Sequence, residues 1–304
     1  MRTVLGWACA VAVLTSGCAT VSIERAKDLS TAGVAYAQAM AAISQAGMEA
    51  SIDADSAVQI RSMPRAPVSD PVVRDARIVR LAALDDELVK TVVLYATFET
   101  SANALEAYFK GLQALAGGSP AAATEESVKQ LAGRVNALNA ALQSKGSPLS
   151  DAKINALGGL AGLVAAQVHG AAVARALERD ATVIGTCLSL QEMVLQKAKM
   201  DITNNLVEAG NRYYVDRVQA PYARGQMSDG WPAARLNYLK VKALSQNSAA
   251  VESAQAASQQ MQLVWKRILS GEYSAPELVA LLKDTDDLLA AAATLKASNR
   301  KDAP

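Results

Sequence analysis

The chain has 304 residues, 51% of them hydrophobic but only 4% aromatic, with 30 basic side chains against 29 acidic ones and a single histidine. That near-neutral balance lacks the clustered basic field that general binding to nucleic acid requires, so no nucleic-acid partner is expected. Abundant Ala, Leu, Gln, Lys and Glu, with no sustained alternation, argues against a β fold and for an all-α one.

In chain order, the first element is an address. Met1 to Gly17 carries one positive charge, Arg2, then the apolar run "VLGWACAVAVL", and closes on "TSG" before Cys18. A charged start, a short apolar run and small residues at a cut site are the parts of an export signal. The run is too short for a permanent span, which needs ~20 apolar residues. The stretch "LTSGC" resembles the lipobox of bacterial lipoproteins, with Leu14, Thr15, Ser16, Gly17 and Cys18 in its positions. Thr15 occupies the place where that family normally carries Leu, and the resemblance ends with this N-terminal stretch. It implies cleavage of residues 1–17, a diacylglycerol on the Cys18 sulfur and acylation of the new amino terminus. Because Ala19 is not the Asp linked to inner-membrane retention, it also implies the periplasmic face of the outer membrane. The first partner implied is thus a membrane, held through lipid whose buried methylenes contribute about 0.8 kcal/mol each.

Loss of residues 1–17 removes Arg2 and leaves 29 basic side chains against 29 acidic ones. Cys9 departs with the signal and Cys18 takes lipid, so Cys187, in "VIGTCLSL", has no disulfide partner and is expected to be a buried, inert thiol.

The body reads as an elongated antiparallel helical bundle of about six helices. One domain is expected over 23–297, after a short tether at 18–22 and before a frayed tail at 298–304. The first helix is predicted from near Ser22 to Ser62, where Pro64, Pro67 and Pro71 break the pattern. A second opens with Asp70 as cap and Pro71 at the first helical position, and runs to about Ala116. Its apolar residues from Leu81 through Leu88, Tyr95, Phe98 and Leu105 to Leu112 follow spacings of three and four, one continuous stripe. "GGSP" ends it, and Ser119-Pro120 and Ser147-Pro148 mark the next two starts. The third helix is expected to about Ser144 and the fourth from Pro148 to about Gly210. A fifth is expected from Pro232 to Leu269, and a sixth behind a capping box of Ser274 and Glu277.

Inside the fourth segment, no charged residue falls between Lys153 and Arg175, and small residues recur at Gly158, Gly162, Ala166, Gly170 and Ala174. Such a stripe lets two helices approach closely, in a membrane or in a bundle. Large apolar residues are few there, which favours packing inside the bundle. Insertion into a bilayer, as in helical pore-forming toxins, is the alternative.

No motif for catalysis, cofactor or phosphate binding occurs, so neither an enzyme nor a cofactor is expected. His169 has no candidate ligand three or four residues away, and no metal is expected. The carboxylate groups Asp85-Asp86-Glu87, Glu125-Glu126 and Asp284/Asp286/Asp287 read as solvated faces. One region stands apart. Arg212, Tyr213, Tyr214, Arg217, Tyr222, Arg224 and Trp231 interleave the residue types that dominate protein interfaces, and form a candidate surface for a protein partner. Sealing of the bundle end is the alternative reading of these aromatics. Ala-rich helices such as "AVESAQAASQQMQ" would pack closely within the chain or against a second copy.

Overall fold

A computed structural model describes residues 12–62, 69–142, 169–200, 214–246, 248–270 and 275–300. The fold is all-α, with no strand among the described residues. Its helices are α1 (Ala12–Ser62), α2 (Pro71–Ala116), α3 (Ala122–Ala141), α4 (His169–Met200), α5 (Ala220–Ala223), α6 (Trp231–Gln246), α7 (Ser248–Ser270) and α8 (Ala275–Arg300). A π-helical turn, Val215–Gln219, leads into α5.

Helix ends follow local chemistry. The Asp70 side chain accepts a hydrogen bond from the Val72 backbone N–H at 2.9 Å and Pro71 begins α2, as predicted. Gly118, at φ 97°, ends it in a left-handed conformation that glycine adopts without strain. α3 starts later than Ser119-Pro120 suggested, with Ala121 at the cap and no side-chain hydrogen bond there. The expected fifth helix is described in two parts, α6 and α7, with residue 247 between them outside the described residues. In the full chain α1 begins at Ala12 and passes through Cys18, so residues 18–22 are helical where a tether was expected. No proline falls between Ala12 and Ser22, and extending a helix costs far less than nucleating it. Ser274, of the predicted capping box, lies outside the described residues, while Glu277 of α8 forms an ion pair with Arg267 of α7.

Cross-helix bonds fix the topology. Gln113 donates to Thr31, Gln38 to Glu106 and Gln45 to Glu99, so numbers rise along α1 as they fall along α2 and the pair is antiparallel. Two glycines set their spacing. A Cβ on Gly33 would lie 2.4 Å from the Phe109 ring, and one on Gly47 would lie 2.7 Å from the Tyr95 ring. Both rings therefore rest on bare α1 backbone. Thr124 of α3 donates to the Gly111 carbonyl oxygen of α2 at 3.1 Å, closing the α2–α3 hairpin. α4 is also antiparallel to α2, with Cys187 beside Ser101 and Asp180 beside Tyr108. Consequently α3 and α4 run in the same direction. α7 returns against α4, since Trp265 donates to the Ala181 carbonyl oxygen and Lys199 pairs with Glu252. α8 turns back again and packs on α1 and α7.

One core joins α1, α2, α3, α4, α7 and α8, with Trp265, Tyr36, Tyr95, Tyr108, Phe98 and Phe109 as its largest buried side chains. In α7, Ala254, Ala257 and Met261 are fully buried, so the Ala-rich stripe packs within the chain. The α2 stripe behaves differently along its length. From Leu94 to Ala116 it is buried, whereas Leu81 is exposed and Leu84, Leu88 and Val92 are only half-buried. Among the described residues α3 and α7 reach only to near the level of Leu94, so residues 71–93 of α2, with the end of α1 beside them, form a stalk that α4 flanks as far as Met200. At 1.5 Å per residue, the α2 part of the stalk is about 34 Å long.

The two ends of the bundle therefore differ. Residue 18 of α1 lies some 18 residues, about 27 Å, from Tyr36, on the side away from the stalk. Tyr36 donates to Ser258 at 3.1 Å, and α7 climbs from there to its start on the stalk side. α6 leads toward α7 at that start and, among the described residues, packs on the π turn and on α7.

Candidate functional site

The region singled out by its aromatics folds as a small helical hairpin at the stalk end. The π turn and α5 form one arm, helped by Pro221 in the first turn of α5. Gly225, at φ 63°, reverses the chain, and α6 forms the other arm, starting with hydrogen bonds from Trp231 N–H to the Ser228 carbonyl oxygen and from Ala234 N–H to that of Gly230. Trp231 then ties the arms together, its Nε1 donating to the Val218 carbonyl oxygen at 3.0 Å.

Ring stacking completes the hairpin. Tyr222 stacks on Trp231 with centroids 6.0 Å apart and planes 25° from parallel. Tyr214 stacks on Tyr238 at 3.8 Å and 18°. Among the described residues of the hairpin only Val218 and Ala234 are buried, and neither belongs to the main core. Tyr222 is 65% exposed, and Arg217, Arg224 and Arg235 of the same hairpin are also exposed. The aromatics hold one another rather than filling the end of the bundle. Stacked rings and exposed arginines on one small hairpin are the residue types that carry most of the energy at protein interfaces. Arg212 and Tyr213 of the predicted surface lie outside the described residues; Tyr214, Arg217, Tyr222, Arg224 and Trp231 lie on this hairpin, where Tyr222 and Trp231 meet and Tyr214 meets Tyr238.

Of the small-residue stripe, Gly158, Gly162 and Ala166 lie outside the described residues. Gly170 is buried and Ala174 is exposed, while Val173, Ala176 and Leu177 occupy the core side of α4. No helix among the described residues is long and apolar enough to cross a membrane.

Sequence reasoning missed a buried polar cluster where α2, α3 and α4 meet. Arg179 grips the neighbouring Asp180 with two hydrogen bonds, at 2.6 and 2.9 Å, and reaches within 3.7 Å of Glu125. Asp180 is fully buried, and the buried Tyr108 hydroxyl lies beside it. Burial raises the Asp180 carboxyl above its ordinary pKa, against the opposing pull of Arg179. Glu125 was read as part of a solvated face with Glu126. It is buried, and only Glu126 is exposed, because Arg179 on α4 supplies a counter-charge invisible from the local sequence. The other two carboxylate groups, at 85–87 and at 284, 286 and 287, are solvated as expected. Cys187 is a buried free thiol 3.6 Å from the Ser101 hydroxyl, and burial pushes its pKa up to about 12 although that hydroxyl opposes the shift. Among the described residues no group of three His, Cys, Asp or Glu could hold a metal ion.

Comparison of the chain with protein-family models, with curated proteins and with solved structures finds no match.

Proposed function

We propose that this chain is a lipid-anchored, non-enzymatic bundle at the periplasmic face of the outer membrane, attached through Cys18 and serving as a binding or scaffold subunit. The observation that carries the reading is the separation of the two ends. Residue 18 lies at one end of the bundle, and the Tyr222–Trp231 hairpin with its exposed arginines lies at the other. From residue 18 to the level where α7 begins is about 30 residues of α1, or roughly 45 Å. An anchor at residue 18 thus leaves the hairpin free for another protein. Its Arg217 and Arg224 suit a partner that presents carboxylates around an apolar contact.

The test is expression in a two-membrane bacterium, with mass spectrometry of the N-terminal peptide and a photo-crosslinking residue in place of Tyr222. The reading expects a diacylglyceryl-modified Cys18 and loss of membrane association in Cys18→Ser. It also expects a discrete protein adduct at position 222 that disappears with Arg217→Glu and Arg224→Glu and is not formed from the exposed Lys110 near the anchor end. An unmodified Cys18 thiol would overturn the anchor, and identical adducts from both positions would overturn the interface.

A further inference from the structure

The two stacked ring pairs of the hairpin differ in what they leave free. Tyr214 and Tyr238 lie nearly face to face at 3.8 Å and are both half-buried, so each ring covers the other. Tyr222 and Trp231 stand 6.0 Å apart at 25°, an offset stack in which the rings overlap at most at their margins. Trp231 is half-buried, yet Tyr222 remains 65% exposed. The first pair closes on itself, whereas the second presents one ring to solvent.

That exposed ring is restrained through its backbone and through its face. Pro221 precedes it with a fixed φ. The Pro221 carbonyl oxygen accepts the Gln226 N–H at 2.9 Å, and that of Tyr222 accepts the Gly225 N–H at 3.1 Å. Trp231 is itself fixed twice. Its backbone N–H donates to the Ser228 carbonyl oxygen at 2.9 Å, and its indole Nε1 donates to that of the buried Val218 at 3.0 Å. Trp231 is therefore a fixed wall against which the Tyr222 ring rests. A side chain ordered before contact avoids much of the entropy cost that a free one meets on binding, and tyrosine has only two side-chain angles to fix.

We infer that Tyr222 is the anchor of the interface proposed above and that Trp231 is its positioning residue, holding the ring in its binding pose before the partner arrives. The inference rests on that reading of the hairpin, and the occupant is the same: a protein surface that presents carboxylates to Arg217 and Arg224 around an apolar contact, on which the free part of the Tyr222 ring docks. Trp231 acts through Tyr222 and not by touching the partner. The interface thus requires an aromatic wall at position 231 rather than an indole as such.

The full chain, expressed in a two-membrane bacterium with a photo-crosslinking residue at Met227, 53% exposed between the two arms, tests this. Trp231→Leu removes the stack and should lower the yield of the position-227 protein adduct roughly three- to tenfold. Trp231→Phe keeps an aromatic face, although it gives up the bond to Val218, and should recover most of the yield. In a Tyr222→Leu background Trp231→Leu should have no further effect, because both changes remove the same contact. On the purified chain, carbon-13 relaxation should report an ordered Tyr222 ring in the parent and in Trp231→Phe, and a mobile one in Trp231→Leu. Unchanged helical circular dichroism separates a lost pose from a lost fold. Equal ring order in the parent and Trp231→Leu, equal losses from the Leu and Phe variants, or an undiminished effect in the Tyr222→Leu background would overturn this inference and leave the interface standing. Absence of any adduct from positions 222 and 227 of the parent would overturn both.

Discussion

The spacing of α1 and α2 rests on two glycines, and replacing them has a calculable cost. In Gly33→Ala the new Cβ meets three atoms of the Phe109 ring at 2.4 to 2.5 Å, more than 1 Å inside ordinary carbon–carbon contact. The ring has little room to retreat: it is fully buried, with Trp265 at 6.4 Å and Tyr108 at 5.4 Å between centroids. Overpacking of this kind costs about 1–3 kcal/mol. Alanine recovers up to about 1 kcal/mol of helix propensity, so the net loss should be about 1–2 kcal/mol. Gly133 and Gly185 are the matched controls, because a Cβ at either meets nothing within 4 Å. Alanine there should stabilise by about 0.8–1 kcal/mol through propensity alone. Urea denaturation followed by circular dichroism reads all three, and the sign of the change is the result that matters. Phe109→Leu should cost less in the Gly33→Ala background than alone, since the clash has gone. If Gly33→Ala stabilised the protein as much as Gly133→Ala, the ring-on-backbone packing of α1 against α2 would be wrong.

Two further outcomes follow from buried polar groups. Because burial pushes the Cys187 thiol up to about 12, it should resist alkylation in the native state at neutral pH and react only as the chain unfolds; equal rates in native and denaturing buffer would show that the thiol is accessible. The raised pKa of Asp180 means that the folded state holds its proton more tightly than the unfolded state does. Its contribution to stability is therefore full below the unfolded value of about 3.8 and is lost as pH rises through the folded value. Asp180→Asn, which cannot ionise, should become progressively more stable relative to the parent between pH 4 and pH 7. A constant difference in urea midpoint across that range would refute the shift.

Helix type and most boundaries were legible because their causes are local. Asp70-Pro71 starts a helix by cap and ring geometry, and Phe98 to Leu112 follows one face by period alone. What the sequence did not reveal depends on distant elements. Leu84 and Leu88 continue the α2 stripe with the same spacing as Phe98, yet they are half-buried, because α3 and α7 end before reaching them. Glu125 and Glu126 look equivalent locally, but only Glu125 meets Arg179, more than 50 positions away. Nothing local marks Gly33 and Gly47, which are the sites where rings from α2 dock. The aromatic cluster was recognisable by composition, whereas its arrangement as a separate hairpin depends on Gly225 and on the Trp231–Val218 bond.

The distribution of exposed apolar side chains also separates stability from interaction. At positions such as Val72, Ile78 and Val79 a valine or isoleucine gains little from folding, because most of its surface remains in water. Substitutions at such surface positions usually change stability by no more than about 0.5 kcal/mol. The folded monomer therefore does not require apolar residues there, and the helix would tolerate the Lys, Glu and Gln that cover exposed faces elsewhere in the chain. Below Leu94 the argument reverses: Tyr95, Phe98, Leu105 and Phe109 are buried against α1, α4 and α7, and their size is explained within one copy. A single helix thus carries two kinds of apolar residue along its length. The lower set holds α2 in the bundle by intrachain packing, and the upper set contributes little to the stability of the fold.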